Sequence, residues 1–163
     1  LAEMPPDEAA PLVVRLDAIE LAIARESRPA EGAGLLLSAL RAAGVDLGIA
    51  TRNSRANALE TLRAAGLDAF FDPAAILGRD EAPLKPRPDV IHRLLEAWRG
   101  DAARTVMVGD FLFDLEAGRG AGAATVYVDP EGRFPFAHLA DLSVRSLAEL
   151  AAAARLDFAH PLR

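Results

Sequence analysis

Between Asp7 and Glu26 the apolar residues Leu12, Leu16, Ile19 and Ile23 recur at helical spacing and predict a helix. Residues 28–34, rich in Pro, Gly and Ala, read as a turn or linker. Leu35, Leu36, Leu37 and Leu40 predict a second helix near 33–43, closed by Gly44. Residues 45–50 predict a short strand that runs into Thr51 and Arg52. Asn53 is then expected to cap a helix carrying Leu59 and Leu62 and ending at Gly66. Residues 74–77 suit another short strand. Pro88 opens a helix with Val90, Ile91, Leu94, Leu95 and Trp98 on one side and a stop at Gly100, a stripe that reads as core contact. Residues 105–108 and 125–128 are the most strand-like runs, and a last helix spans 146–155 before a terminal segment expected to fray.

Helices alternating with short, continuously apolar strands imply an α/β fold with a parallel sheet covered on both faces. Ligands of such sheets sit beyond the carboxyl ends of the strands. Thr51, Gly109 and Asp110 fall at such ends, and Lys85 lies on a loop that can reach the same edge. The segment LeuArgAlaAlaGly occurs at 40–44 and again at 62–66. Two copies cannot build a solenoid, so they read as two helices sharing one stop signal.

Bulk properties narrow the function. The 163 residues suit one domain, and the net charge of −6 supplies no basic footprint for nucleic acid. No apolar run reaches the length of a membrane span. With no cysteine, disulfides and thiolate metal sites are excluded, and a cytoplasmic location is expected. Lys85 is the single lysine among 18 basic residues, a compact ammonium kept where all other positive side chains are arginine.

The chemistry gathers around that lysine. Thr51 ends a strand just before a helix, so its hydroxyl and the amides of Arg52 and Asn53 would face an anion placed there. Asp110 follows a strand end and a glycine that allows a sharp turn, which suits Mg²⁺. Asp114, four residues on, projects to the same side if the chain is helical from about 111. A hydroxyl with amides, an ammonium and a carboxylate are the parts of a phosphoryl-transfer site. His92, His138 and His160 share no metal-like spacing, and no serine sits in a nucleophile elbow.

In their order, IleAlaThrArgAsn, LeuLysPro and ValGlyAspPheLeuPheAsp with the glycine-rich run after it resemble the haloacid dehalogenase-like hydrolase superfamily, close to its phosphoglycolate-phosphatase-like branch. The resemblance covers roughly residues 30–150. It implies a Rossmann-like three-layer core and a Mg²⁺-dependent phosphatase acting on a small phosphorylated metabolite. Thr51 would bind the phosphoryl group with the backbone near Asn53, and Lys85 would neutralise it together with the attacking carboxylate. Asp110 would bind Mg²⁺, and Asp114 would steady Lys85 or the metal shell. No role is implied for the side chain of Arg52.

The family's first motif, an aspartate–x–aspartate loop holding the nucleophile and the general acid–base, is absent, and with it the central first strand. Asp17 is the nearest imitation, but Ile19 stands where a second carboxylate belongs, and the segment reads as helix. The expectation is therefore a chain cut from a longer phosphatase, with its nucleophile upstream. Residues 1–30 would be the remnant of a helical cap, 31–155 an incomplete core and 156–163 a tail. The competing reading is a non-catalytic relic that binds phosphate or a partner. A phospho-acceptor receiver domain is set aside, because its acids precede its threonine. Phosphoglycolate, a sugar phosphate and a nucleotide monophosphate all remain open as substrates, and the sequence does not fix the oligomeric state.

Overall fold

The computed structural model describes residues 6–158, so His160 and most of the expected tail lie outside the described residues. Helix α1 (Pro6–Arg25) fulfils the first predicted helix, yet its stripe of Leu12, Leu16, Ile19 and Ile23 faces solvent. A polar side docks it instead. Asp17 and Glu20 both pair with Arg79, and Glu20 accepts a 2.8 Å hydrogen bond from the buried amide of Asn57. Asp17 is thus a helical, ion-paired residue rather than one on a strand-end loop.

Helices α2 (Ala33–Ala42) and α3 (Arg55–Ala64) each end before a left-handed glycine, Gly44 at φ 72° and Gly66 at φ 69°. The shared stop signal is real, since a side chain is strained in that conformation. Strand β1 (Ile49–Ala50) is shorter than the 45–50 expected. The amide of Val45 is spent on the end of α2, donating to the Leu40 carbonyl at 3.1 Å. Gly48 packs so closely on Trp98 that a Cβ there would lie 2.8 Å from the indole. The helix cap also shifts by one residue: Ser54, not Asn53, accepts from the Asn57 amide. Likewise β2 is only Ile76–Leu77, because residues 73–75 form a 3₁₀ turn capped by Asp72.

Helix α4 (Asp89–Trp98) buries Val90, Ile91, Leu94 and Leu95 as its spacing predicts, and closes on Arg99 in the left-handed region. Strands β3 (Val106–Gly109) and β4 (Ala124–Val128) flank helix α5 (Leu112–Gly120). Strand β5 (Leu142–Val144), not foreseen, precedes helix α6 (Leu147–Phe158). The pairing is parallel throughout, but it forms two sheets, β1–β2 and β3–β4–β5.

Side-chain alternation puts helices on both faces. Ile49 and Ile76 point to α3 with Ala58 and Leu62, whereas Ala50 and Leu77 point to a cluster made by α4 and α5. Met107 of β3 joins that same cluster, so one helical layer spans both sheets. This is the expected three-layer α/β architecture, with two sheets where a continuous one would need a strand between β1 and β3. Among the described residues, β1 pairs only with β2 and β3 only with β4. Val106 and Val108 of β3 are exposed, an unusual state for a ValMetVal run in a covered sheet. No described helix is long and apolar enough to cross a membrane.

Candidate phosphate site at the carboxyl edge of the sheets

Lys85 crosses between the two sheets. Its ammonium donates to the Ala50 carbonyl at the end of β1, at 2.6 Å, and to Asp114 Oδ1 on α5, at 2.5 Å. Both side chains are nearly buried, at 10% and 11% exposure, so the pair is shielded from water and ions. A charge-assisted bond of this kind is short and fixes both partners. The Lys85–Pro86 peptide bond is cis.

Asp114 is held from its other oxygen as well, by the Phe111 amide at 3.1 Å, which caps the start of α5. Gly109 makes that placement possible. A Cβ at this position would lie 2.2 Å from the Asp114 Cβ, so a side chain there would displace the carboxylate. The glycine serves close approach rather than the sharp turn expected from sequence. Asp114 is therefore committed to Lys85 and the helix start.

Thr51 continues the β1–β2 pairing, its amide donating to the Leu77 carbonyl at 3.0 Å. Its hydroxyl oxygen accepts from the Asn53 amide at 3.1 Å, so that amide is taken up internally. Of the two amides expected to face an anion, only that of Arg52 has no protein acceptor among the described residues. Thr51 directly follows Ala50, whose carbonyl holds Lys85. The hydroxyl and the ammonium thus flank a single strand end.

Asp110 follows β3 and is exposed, with no hydrogen bond or ion pair among the described residues. Its charge reaches the neighbouring strand: burial first, then Asp129 and Asp110, push the Tyr127 hydroxyl up from its ordinary value. The described residues contain no cluster of three or more His, Cys, Asp or Glu able to cage a metal. A free carboxylate of this kind fits Mg²⁺, which keeps several waters and takes one or two carboxylates plus substrate oxygens. His92 and His138 are exposed and belong to neither group.

An aromatic belt at this edge was not anticipated. Phe113 meets Phe111 edge-to-face at 5.2 Å, Phe111 meets Phe136 at 5.7 Å, and Phe136 lies 5.8 Å from Tyr127. The Arg52 guanidinium stands over the Phe113 ring, 4.9 Å from its centroid. The pairs Phe111/Phe113 and Phe134/Phe136, each spaced by two residues, were the available signal.

Comparison with known proteins identifies the family and the fold. A family model described as haloacid dehalogenase-like hydrolase matches residues 2–122. Pyrophosphatase PpaX of Halalkalibacterium halodurans is 34% identical over 100 residues, 61% of this chain and 46% of the relative. A phosphoglycolate phosphatase of Caulobacter vibrioides is 36% identical over 129 residues, 78% of this chain and 54% of that protein. The chain spans about half the length of the curated relatives it matches. A HAD family hydrolase from Deinococcus radiodurans R1, solved with bound phosphate and sodium, superposes with TM-score 0.73 at 29% identity. That match covers 97% of this chain and 71% of the solved one.

Proposed function

The chain belongs to the haloacid dehalogenase-like hydrolases, and on that footing we propose that it carries the phosphate-handling part of a Mg²⁺-dependent phosphomonoester hydrolase. The observation that carries the reading is the Lys85 bridge: one shielded ammonium joins the strand end before Thr51 to Asp114 across two sheets. In the proposed site the Thr51 hydroxyl and the Arg52 amide bind phosphoryl oxygens. Lys85 neutralises the charge that gathers there, and Asp114 holds the ammonium in place. Asp110 would hold Mg²⁺, which when bound supplies further positive charge to the phosphoryl group.

The substrate is a small phosphorylated metabolite, a class to which the names of the phosphoglycolate phosphatase and pyrophosphatase relatives point. The nucleophilic aspartate belongs to a segment outside these 163 residues, so the chain alone binds phosphate esters without turning them over. Two observations support this: Asp17 is engaged with Arg79, and among the described residues β1 and β3 each pair on one side only. In this assignment residues 1–30 are the end of a cap, 31–155 the core and 156–163 a tail, within a cytoplasmic enzyme.

Hydrolysis of p-nitrophenyl phosphate by the natively expressed protein, beside the 163-residue chain, tests the reading. Mg²⁺-dependent turnover by the first and phosphate binding without turnover by the second are expected. If the native protein also binds phosphate without turnover, the chain is the non-catalytic alternative.

A further inference from the structure

We infer that the Arg52 side chain is a specificity-determining residue that grips a second anionic group of the substrate. The favoured ligand is thus a phosphoryl compound, ester or anhydride, whose other end bears a carboxylate or a second phosphoryl group. The inference rests on the phosphate site proposed above and names what lies next to it.

The placement comes from two parallel bridges. Ala50 and Asp114 are joined through Lys85. Two residues after Ala50 in the chain, and one before Asp114, the Arg52 guanidinium carbon lies over the Phe113 ring. The guanidinium therefore belongs to the residue next to Thr51 and rests on the residue next to Asp114, beside the proposed phosphate position. Phe113 is itself held by the edge-to-face stack with Phe111 and, through it, Phe136, so the platform beneath Arg52 is braced.

The chemistry of the group follows from what Arg52 does not touch. The chain carries 24 acidic residues against 18 basic ones, and some of its arginines find acidic partners: Arg79 pairs with Asp17 and Glu20, Arg87 with Asp89. Among the described residues Arg52 makes no ion pair and donates no side-chain hydrogen bond, although Asp114 directly follows Phe113 in the chain. A guanidinium held over an aromatic ring keeps a fork of N–H donors for another partner. That fork matches the two oxygens of a carboxylate or phosphoryl group. Stacking also limits the rotamer freedom that an exposed arginine would otherwise lose on binding.

Calorimetric titration of the 163-residue chain with Mg²⁺ tests this, using ethyl phosphate, 2-phosphoglycolate, inorganic pyrophosphate and inorganic phosphate. The readout is the ratio of affinities between a two-anion ligand and ethyl phosphate. Lys85 and Mg²⁺ are common to all the titrations, so the part of a two-anion preference that Arg52→Gln removes is the part this guanidinium supplies. In wild type the ratio should reach about tenfold for 2-phosphoglycolate, for pyrophosphate, or for both, the pattern telling carboxylate from phosphoryl recognition. Arg52→Gln should bring the ratio close to one, and Arg52→Lys should restore only part of it. Phe113→Leu should lower it with the guanidinium still present. A wild-type ratio near one, or one that Arg52→Gln leaves intact, overturns the inference while the phosphate site stands. Failure of wild type to bind inorganic phosphate overturns both.

Discussion

The Lys85 ammonium and the Asp114 carboxylate lie 2.5 Å apart in a nearly buried position, and the same ammonium also donates to the carbonyl of Ala50. The single lysine of the chain is therefore a structural tie between two sheets as well as the cation of the proposed phosphate site. Stability and binding should be lost together when it is altered.

Lys85→Met should destabilise the fold by about 3 kcal/mol, because it leaves a carboxylate buried without its counter-charge. Urea unfolding measures the loss. The double variant Lys85→Met/Asp114→Leu should recover most of it, since removing both charges removes the unpaired one. Additive losses would show that the pair does not act as a unit.

Gly109→Ala should cost about 1–3 kcal/mol and shift the start of α5, since the new methyl would lie 2.2 Å from the Asp114 Cβ. Thermal unfolding and the amide protection of residues 112–115 report it. An unchanged midpoint would mean that Asp114 can move away without loss.

How much of this could be read from the chain differs by element. Helix α4 was legible because Val90, Ile91, Leu94 and Leu95 follow a single period and bury as that period demands. The strand end at Gly109 was legible because the apolar run ValMetVal stops at a glycine, and the one near Thr51 because the apolar pair Ile49–Ala50 gives way to polar residues. Strand β5 was not, because LeuSerVal is too short to show alternation, and its identity comes from pairing with β4. That the stripe of α1 faces outward was not legible, for a physical reason. Periodicity tells which residues share a face and not which face docks, and Asp17 and Glu20 won through Arg79. Arg52 over Phe113 joins residues distant in the chain, and no local pattern encodes such a pair.

Acid should weaken the protein through Asp129 and Asp141. Amide donors hold both carboxyls below their ordinary value of 3.8: chiefly Phe134, with Glu131 and Arg133, for Asp129, and Thr125, by amide and hydroxyl, for Asp141. Their stabilisation is full above the unfolded-state value. As the pH falls below about 4 the unfolded chain takes up protons first, and the contribution is lost once the folded carboxyls protonate too. Asp141→Asn should flatten the fall of the thermal midpoint between about pH 5 and pH 2.5. Parallel profiles for variant and wild type would contradict this origin.

Arg79→Met should loosen α1 from the body, since Arg79 joins Asp17 and Glu20 to the loop after β2. Faster hydrogen exchange across residues 11–25, with α4 and β4 unchanged, is the expected signature. Uniform acceleration would mean that α1 and the sheets unfold as one unit.

Titration of inorganic phosphate into the 163-residue chain, with and without Mg²⁺, tests the central claim most directly. Saturable binding that strengthens with Mg²⁺ is expected in wild type, at least about tenfold weaker in Thr51→Val and in Lys85→Gln, and no longer responsive to Mg²⁺ in Asp110→Asn. Absence of phosphate binding, or binding that none of the three substitutions alters, would contradict a phosphate site at this edge.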